Sequence, residues 1–202
     1  MGAGVVAVGV VAWLLLSGGD PSIGEGPSGP TSLTLELAGK VEVSGTSDTP
    51  PAQLAETARE TGDAVKRTME ELYFRAFVDQ GSWGDYADAF ALFDAQAAAR
   101  AEADTDVLTL GPAAGDEFEV VNPTSGTVTI SVLTNGKDAP VTAVAEVEFL
   151  ADATRTDGGT TEIASTGSFY LHQVDGTWRI FAYDVDRDDS AAAAPSPTGS
   201  PS

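Results

Sequence analysis

The period of the hydrophobic pattern changes once along this chain, and that change limits the fold more than any other feature. Leu54, Ala58, Thr61, Val65, Met69, Leu72 and Ala76 recur three and four residues apart. This is one face of a 3.6-residue period, and it predicts a long helix. Pro51 opens it, where a missing N–H costs nothing. Gly62 stands in the middle and weakens the helix by about 1 kcal/mol relative to Ala. Gln80-Gly81-Ser82 stops it. Trp83, Tyr86, Ala89, Phe90 and Phe93 then give a second helical stretch, with Asp85 and Asp88 in its first turns, where the helix dipole favours acids. The Ala-rich segment 94–103 either forms a third helix or continues the second.

From Val107 the period becomes two. Val107–Leu110 and Phe118–Val121 read as short edge or connecting strands. Val128, Ile130 and Val132 alternate with Thr127, Thr129 and Ser131, and Asn135-Gly136 follows as a hairpin signal. The returning strand puts Val141, Ala143, Ala145, Val147 and Phe149 on one face. Asp157-Gly158-Gly159 leads into a strand with Ile163, Phe169 and Leu171. Asp175-Gly176 then turns the chain into Trp178, Ile180 and Ala182. Helices first and an antiparallel meander after them predict an α+β domain over about 51–187, its sheet covering the long helix.

The flanks read differently. Residues 1–19 carry no charge and centre on an apolar run from Val5 to Leu16. A membrane-spanning helix needs roughly 20 apolar residues, so this stretch is read as a transmembrane anchor, with Trp13 suited to the interface. A cleaved signal is the alternative, with the small residues Ser17 and Gly19 ahead of Asp20. Residues 20–50 form a Gly-, Ser- and Pro-rich spacer. Within it, Leu33, Leu35, Leu37, Val41 and Val43 alternate with polar residues around Ala38-Gly39, a candidate hairpin over 32–44. The Ala-, Pro- and Ser-rich stretch 188–202 reads as a disordered tail.

Charge and composition remove whole classes of function. With 31 acidic against 10 basic residues the net charge is −21, which repels nucleic acid and anionic headgroups. The chain has no cysteine, so disulfides, thiol catalysis and thiolate metal sites are excluded. Asp184-Val185-Asp186-Arg187-Asp188-Asp189 imitates the start of a calcium loop, but Asp189 stands where Gly is required and Pro195 where Glu is. Pro123 disqualifies Asn122-Pro123-Thr124 as a glycosylation acceptor. His172, the one histidine, shares a strand face with Tyr170 and Ser168 opposite Phe169 and Leu171, and reads as a surface residue. Glu146 and Glu148 alternate against Val147 and Phe149 and face solvent. No catalytic residue, metal site or cofactor is assigned.

Two segments carry a family resemblance: Trp83-Gly84-Asp85-Tyr86-Ala87-Asp88-Ala89-Phe90-Ala91-Leu92-Phe93, and the closing hairpin Phe169-Tyr170-Leu171-His172-Gln173-Val174-Asp175-Gly176-Thr177-Trp178-Arg179-Ile180. Over about 53–187 the chain resembles the nuclear-transport-factor-2-like (cystatin-like) superfamily. With its apolar N-terminus and spacer it is also similar to membrane-anchored actinobacterial envelope proteins such as the mammalian-cell-entry-associated proteins. The resemblance implies a curved antiparallel sheet wrapped as a cone around a long N-terminal helix and short helices, on the extracytoplasmic side of a membrane. Members include isomerases, cyclases and dehydratases as well as non-enzymatic domains, so it implies no single activity. An enzyme of this type places an acid or His inside the cone. Here Tyr73 is the interior hydroxyl and no inward carboxylate pairs with it.

These readings give three expectations. The first is a non-enzymatic interaction or scaffold domain, meeting a second copy or another envelope protein through its open sheet face. The second is an apolar pocket for a lipid-like ligand at the cone mouth, lined by Tyr73, Phe77, Trp83, Tyr86 and Phe90, residues that equally suit an ordinary core. The third is an isomerase- or cyclase-type enzyme using Tyr73.

Overall fold

The structure, a computed structural model, describes residues 29–44, 50–135, 137 and 139–191. The expected anchor or signal (1–19) and residues 20–28, 45–49 and 192–202 lie outside the described residues. No described helix is long and apolar enough to cross a membrane.

The architecture is α+β, as the change of period predicts. Helix α1 (Pro51–Tyr73) starts with Pro in its first turn and runs into a π-helical turn, Phe74–Val78. Its expected face is the buried one: Ala58, Thr61, Val65, Met69, Leu72 and Ala76 are all buried. Asp79 ends this helical run in an extended conformation and caps the short 3-10 turn Gln80–Ser82, accepting bonds from the Gly81 N–H and the Ser82 hydroxyl. The second helix is far shorter than the pattern suggests, a single turn α2 (Ala87–Phe90), because Gly84 adopts φ 84° just before it. Helix α3 (Ala95–Ala103) is separate from α2, with Asp94 accepting from the Gln96 and Ala97 N–H groups as its N-cap.

Val107–Leu110 is not a strand. It lies in a helical turn α4 (Thr105–Leu108) and the residues just after it. Short apolar runs carry no decisive period, and local bonds win here: the Thr105 hydroxyl donates to Glu102 O. Leu110 N–H donates to Ala76 O, and Arg187 donates to the Asp106 and Thr109 carbonyls, so this piece is sewn to the π-helical turn after α1 and to the last strand. One more turn, α5 (Ala114–Glu117), leads into the sheet.

Four long strands form the body of a curved sheet: β3 (Phe118–Thr134), β4 (Pro140–Arg155), β5 (Thr160–Val174) and β6 (Thr177–Ala191). They run as an antiparallel meander in the order β3-β4-β5-β6. The hairpins fall where expected. Asn135 Oδ1 accepts from the Lys137 and Ala139 N–H groups at the first turn. Asp175 (φ 51°) and Gly176 (φ 78°) form a two-residue turn of positive φ at the last. Strand β6 continues through Asp188 to Ala191, which sequence had given to the tail.

The segment before α1 departs from the expected hairpin, and with it from a purely antiparallel sheet. Its short strands β1 (Glu36–Leu37) and β2 (Glu42–Ser44) both pair parallel with β3, so the sheet is mixed. Leu37 pairs with Val128 and Glu42 with Ser131, five residues against three, so two extra residues bulge out around Gly39 at φ 84°. Burial explains the choice. Leu35 is 1% exposed and fills the space over Gly126, whose absent side chain would otherwise meet it at 2.7 Å. Burying one Leu contributes about 2 kcal/mol, which an isolated hairpin could not supply. Gly62 has the matching role on α1, where an added Cβ would lie 2.4 Å from Val41.

Candidate functional site

The five aromatic residues expected to line one pocket divide into three places. Tyr73 and Phe77 are in the core, 1% and 2% exposed, with ring centroids 5.5 Å apart and each 5.3 Å from the Phe149 ring of β4. The Tyr73 hydroxyl meets the Ser165 hydroxyl of β5 at 3.3 Å. Burial pushes its pKa up to about 12, and the bond to Ser165 pulls it back only in part. Trp83 is half-buried and donates from Nε1 to the carbonyl of Phe77, tying the chain after the 3-10 turn back onto the π turn.

Tyr86 and Phe90 stand apart from these, at the floor of a cleft of about 490 Å³ at one end of the helices. Pro112 closes one side, and the carboxylates of Asp85, Glu102 and Asp106 are also in its wall. The Tyr86 hydroxyl donates to Gly111 O, and burial raises its pKa. Beside this cleft Tyr183 donates to Asp104, with the Arg100 guanidinium over its ring. Burial first, and then the Asp104 carboxylate, raise the Tyr183 pKa.

The outer face of the sheet, turned away from α1, has a different character. Alternation puts Phe169 and Leu171 inside, and Tyr170 and His172 outside, as read from sequence. Glu146 and Glu148 are exposed on the same outer face. Register sets Val144, Tyr170 and Ala182 in one row across β4, β5 and β6, with Thr142, His172 and Arg179 in the row beside it. A register shift between Tyr170 and Leu171 inserts Phe181 opposite these residues. Its ring lies 5.0 Å from that of His172 and 6.3 Å from that of Tyr170. Tyr170 is 38%, Phe181 39% and Leu133 51% exposed, so this is an aromatic and aliphatic cluster open to solvent. His172 Nε2 is 3.4 Å from Asp94 Oδ2, an ion-pair distance, but the angle is not that of a hydrogen bond and the nitrogen is without such a partner among the described residues.

Sequence reasoning placed Tyr170 on the outward face with His172 but gave it no role, and it passed over Phe181 and Leu133. Phe181 could not be placed, because the bulge that turns it outward is a property of the paired strands. Among the described residues no cluster of three or more His, Asp or Glu is set to hold a metal. Compared with protein-family models, with curated proteins and with solved structures, the chain matches none of them.

Proposed function

We propose that the chain is a membrane-tethered, extracytoplasmic interaction module of the nuclear-transport-factor-2-like type, which docks a protein partner through the outer face of its sheet. The observation that carries this reading is the exposed Tyr170–Phe181–His172 cluster with Val144 and Leu133 beside it. Large apolar groups gathered on one face cost stability in water unless another surface covers them. The fold type is supported by the long helix and short helices that precede, and lie under, four long antiparallel strands. The tether rests on the uncharged residues 1–19.

The two other readings have less support. A lipid-like pocket built on Tyr73 and Phe77 conflicts with their close packing against Phe149, and of the five expected residues only Tyr86 and Phe90 line a cleft, one with acids in its wall. An isomerase of the kind the resemblance implies sets an acid or His inside the cone as its base. The partner of Tyr73 is a serine hydroxyl.

The test is photo-crosslinking in membranes of the source cells. The full chain carries a benzophenone amino acid at position 170, or at exposed position 60 on α1 as control. A discrete protein adduct specific to position 170 is expected, in membranes that keep the chain through an alkaline wash. Identical adducts from both positions, or none, would overturn the docking face. Release by the wash would overturn the tether.

A further inference from the structure

The outer face is divided along its length. Next to the aromatic row come Glu146 on β4, Ser168 on β5 and Asp184 on β6, paired across the sheet, and then Glu148, Thr166 and Asp186. The middle strand carries only short hydroxyl side chains here, while longer carboxylates rise on both sides. The result is a trough of about 350 Å³ lined by these six residues and by the backbone of Val147 and Gly167. Strands are spaced about 4.8 Å apart and alternate residues about 7 Å apart, so the four carboxylates mark a rectangle of about 10 by 7 Å at backbone level. Leu150 and Asp188 continue the walls beyond it.

What makes this more than a solvated acidic surface is its neighbour: the trough runs directly into the exposed Tyr170–Phe181 cluster, so apolar and anionic features form one continuous surface with a fixed order.

Resting on the docking reading above, we infer that the partner is a polypeptide presenting an extended basic segment. Lys or Arg side chains at alternate positions lie between the Glu148–Asp186 and Glu146–Asp184 walls, and an apolar side chain two residues on covers Tyr170 and Phe181. The spacing of alternate residues in an extended chain matches that of the carboxylates along the strands. The aromatic rings add a favourable face for a cation at the boundary. A second copy of this chain is a poor occupant, because two such faces would set like charges against each other.

The probes are labelled peptides Lys-Thr-Lys-Thr-Leu and its reverse, titrated into the full chain in a non-ionic detergent. Controls replace Lys by Glu, or Leu by Ser. Binding of a lysine peptide that weakens with salt is expected, with no binding of the glutamate peptide. The combined variant E146Q/E148Q/D184N/D186N is expected to weaken binding by roughly tenfold and flatten its salt dependence. F181A is expected to weaken it by about fivefold with the salt dependence unchanged. Equal binding of the glutamate peptide, or indifference to the combined variant, overturns the basic partner. Spermidine or calcium held in the trough in preference to the peptides makes it a small-cation site and overturns the polypeptide occupant. If the adduct at position 170 persists while the peptides fail, the face is an interface for a partner of other chemistry. If both fail, the docking reading falls with them.

Discussion

Tyr73 meets one polar group in the core, the Ser165 hydroxyl 3.3 Å away, and is otherwise surrounded by rings and aliphatic side chains. Its pKa is pushed up to about 12 from the ordinary value of 10.0, because burial disfavours the phenolate. The folded pKa lies above the unfolded one, so the unfolded chain releases this proton first as pH rises. The stability tied to it is complete below pH 10 and is lost as pH climbs from there toward 12. A rise from 10.0 to about 12 corresponds to about 3 kcal/mol at most. Denaturant unfolding of wild type and Tyr73→Phe between pH 8 and 12 isolates this, since Tyr86 and Tyr183 titrate in both. The wild type is expected to lose about 2–3 kcal/mol more than the variant across that window. Parallel losses would mean that the phenolate finds solvent, and that the core opens around it.

Between elements, the contact that sequence could not show is that of α1 with the strand segment before it. Gly62 reads as a flaw in a helix until Val41 is placed against it. Gly62→Ala gains about 1 kcal/mol of helix propensity but puts a methyl 2.4 Å from Val41 Cγ2. Overpacking is expected to win, for a net loss of about 1–2 kcal/mol. On a Val41→Ala background the same change is expected to stabilise. A double-mutant cycle read by urea midpoints measures the coupling, and strictly additive effects would show that the segment does not sit on α1. The face of α1 and the alternation of β4 and β5 were legible because each is a local period with many repeats. Strands β1 and β2 were not, because a two- or three-residue parallel strand exists only through its distant partner β3. Nor was the fate of Val107–Leu110, which bonds to Ala76 and Arg187 decide. The aromatic residues of α1 and α2 were legible as apolar, but whether they line a cavity or fill a core depends on Phe149 arriving from the far side of the chain.

For the whole molecule, charge is the property that reaches furthest. A net charge of −21 destabilises any compact state through self-repulsion. Part of it has a visible structural use: β6 is an edge strand, and Asp184, Asp186, Asp188 and Asp189 along it discourage pairing with a second chain. Glu146 and Glu148 sit on an inner strand and protect no edge, so that explanation does not extend to them. The Debye length falls from about 30 Å at 0.01 M salt to about 8 Å at 0.15 M, which spans the separations in the trough. The wild type is therefore expected to melt a few degrees higher at physiological than at low ionic strength. The combined variant E146Q/E148Q/D184N/D186N should melt higher than wild type at low salt, and respond less to added salt, in differential scanning calorimetry. A variant that is more stable yet no longer binds a basic peptide would show carboxylates that oppose the fold and serve its partner, the usual relation between stability and a working surface. A variant that melts lower would instead assign those four groups to the fold itself, and the trough would be a consequence of how the sheet is held rather than of what it holds.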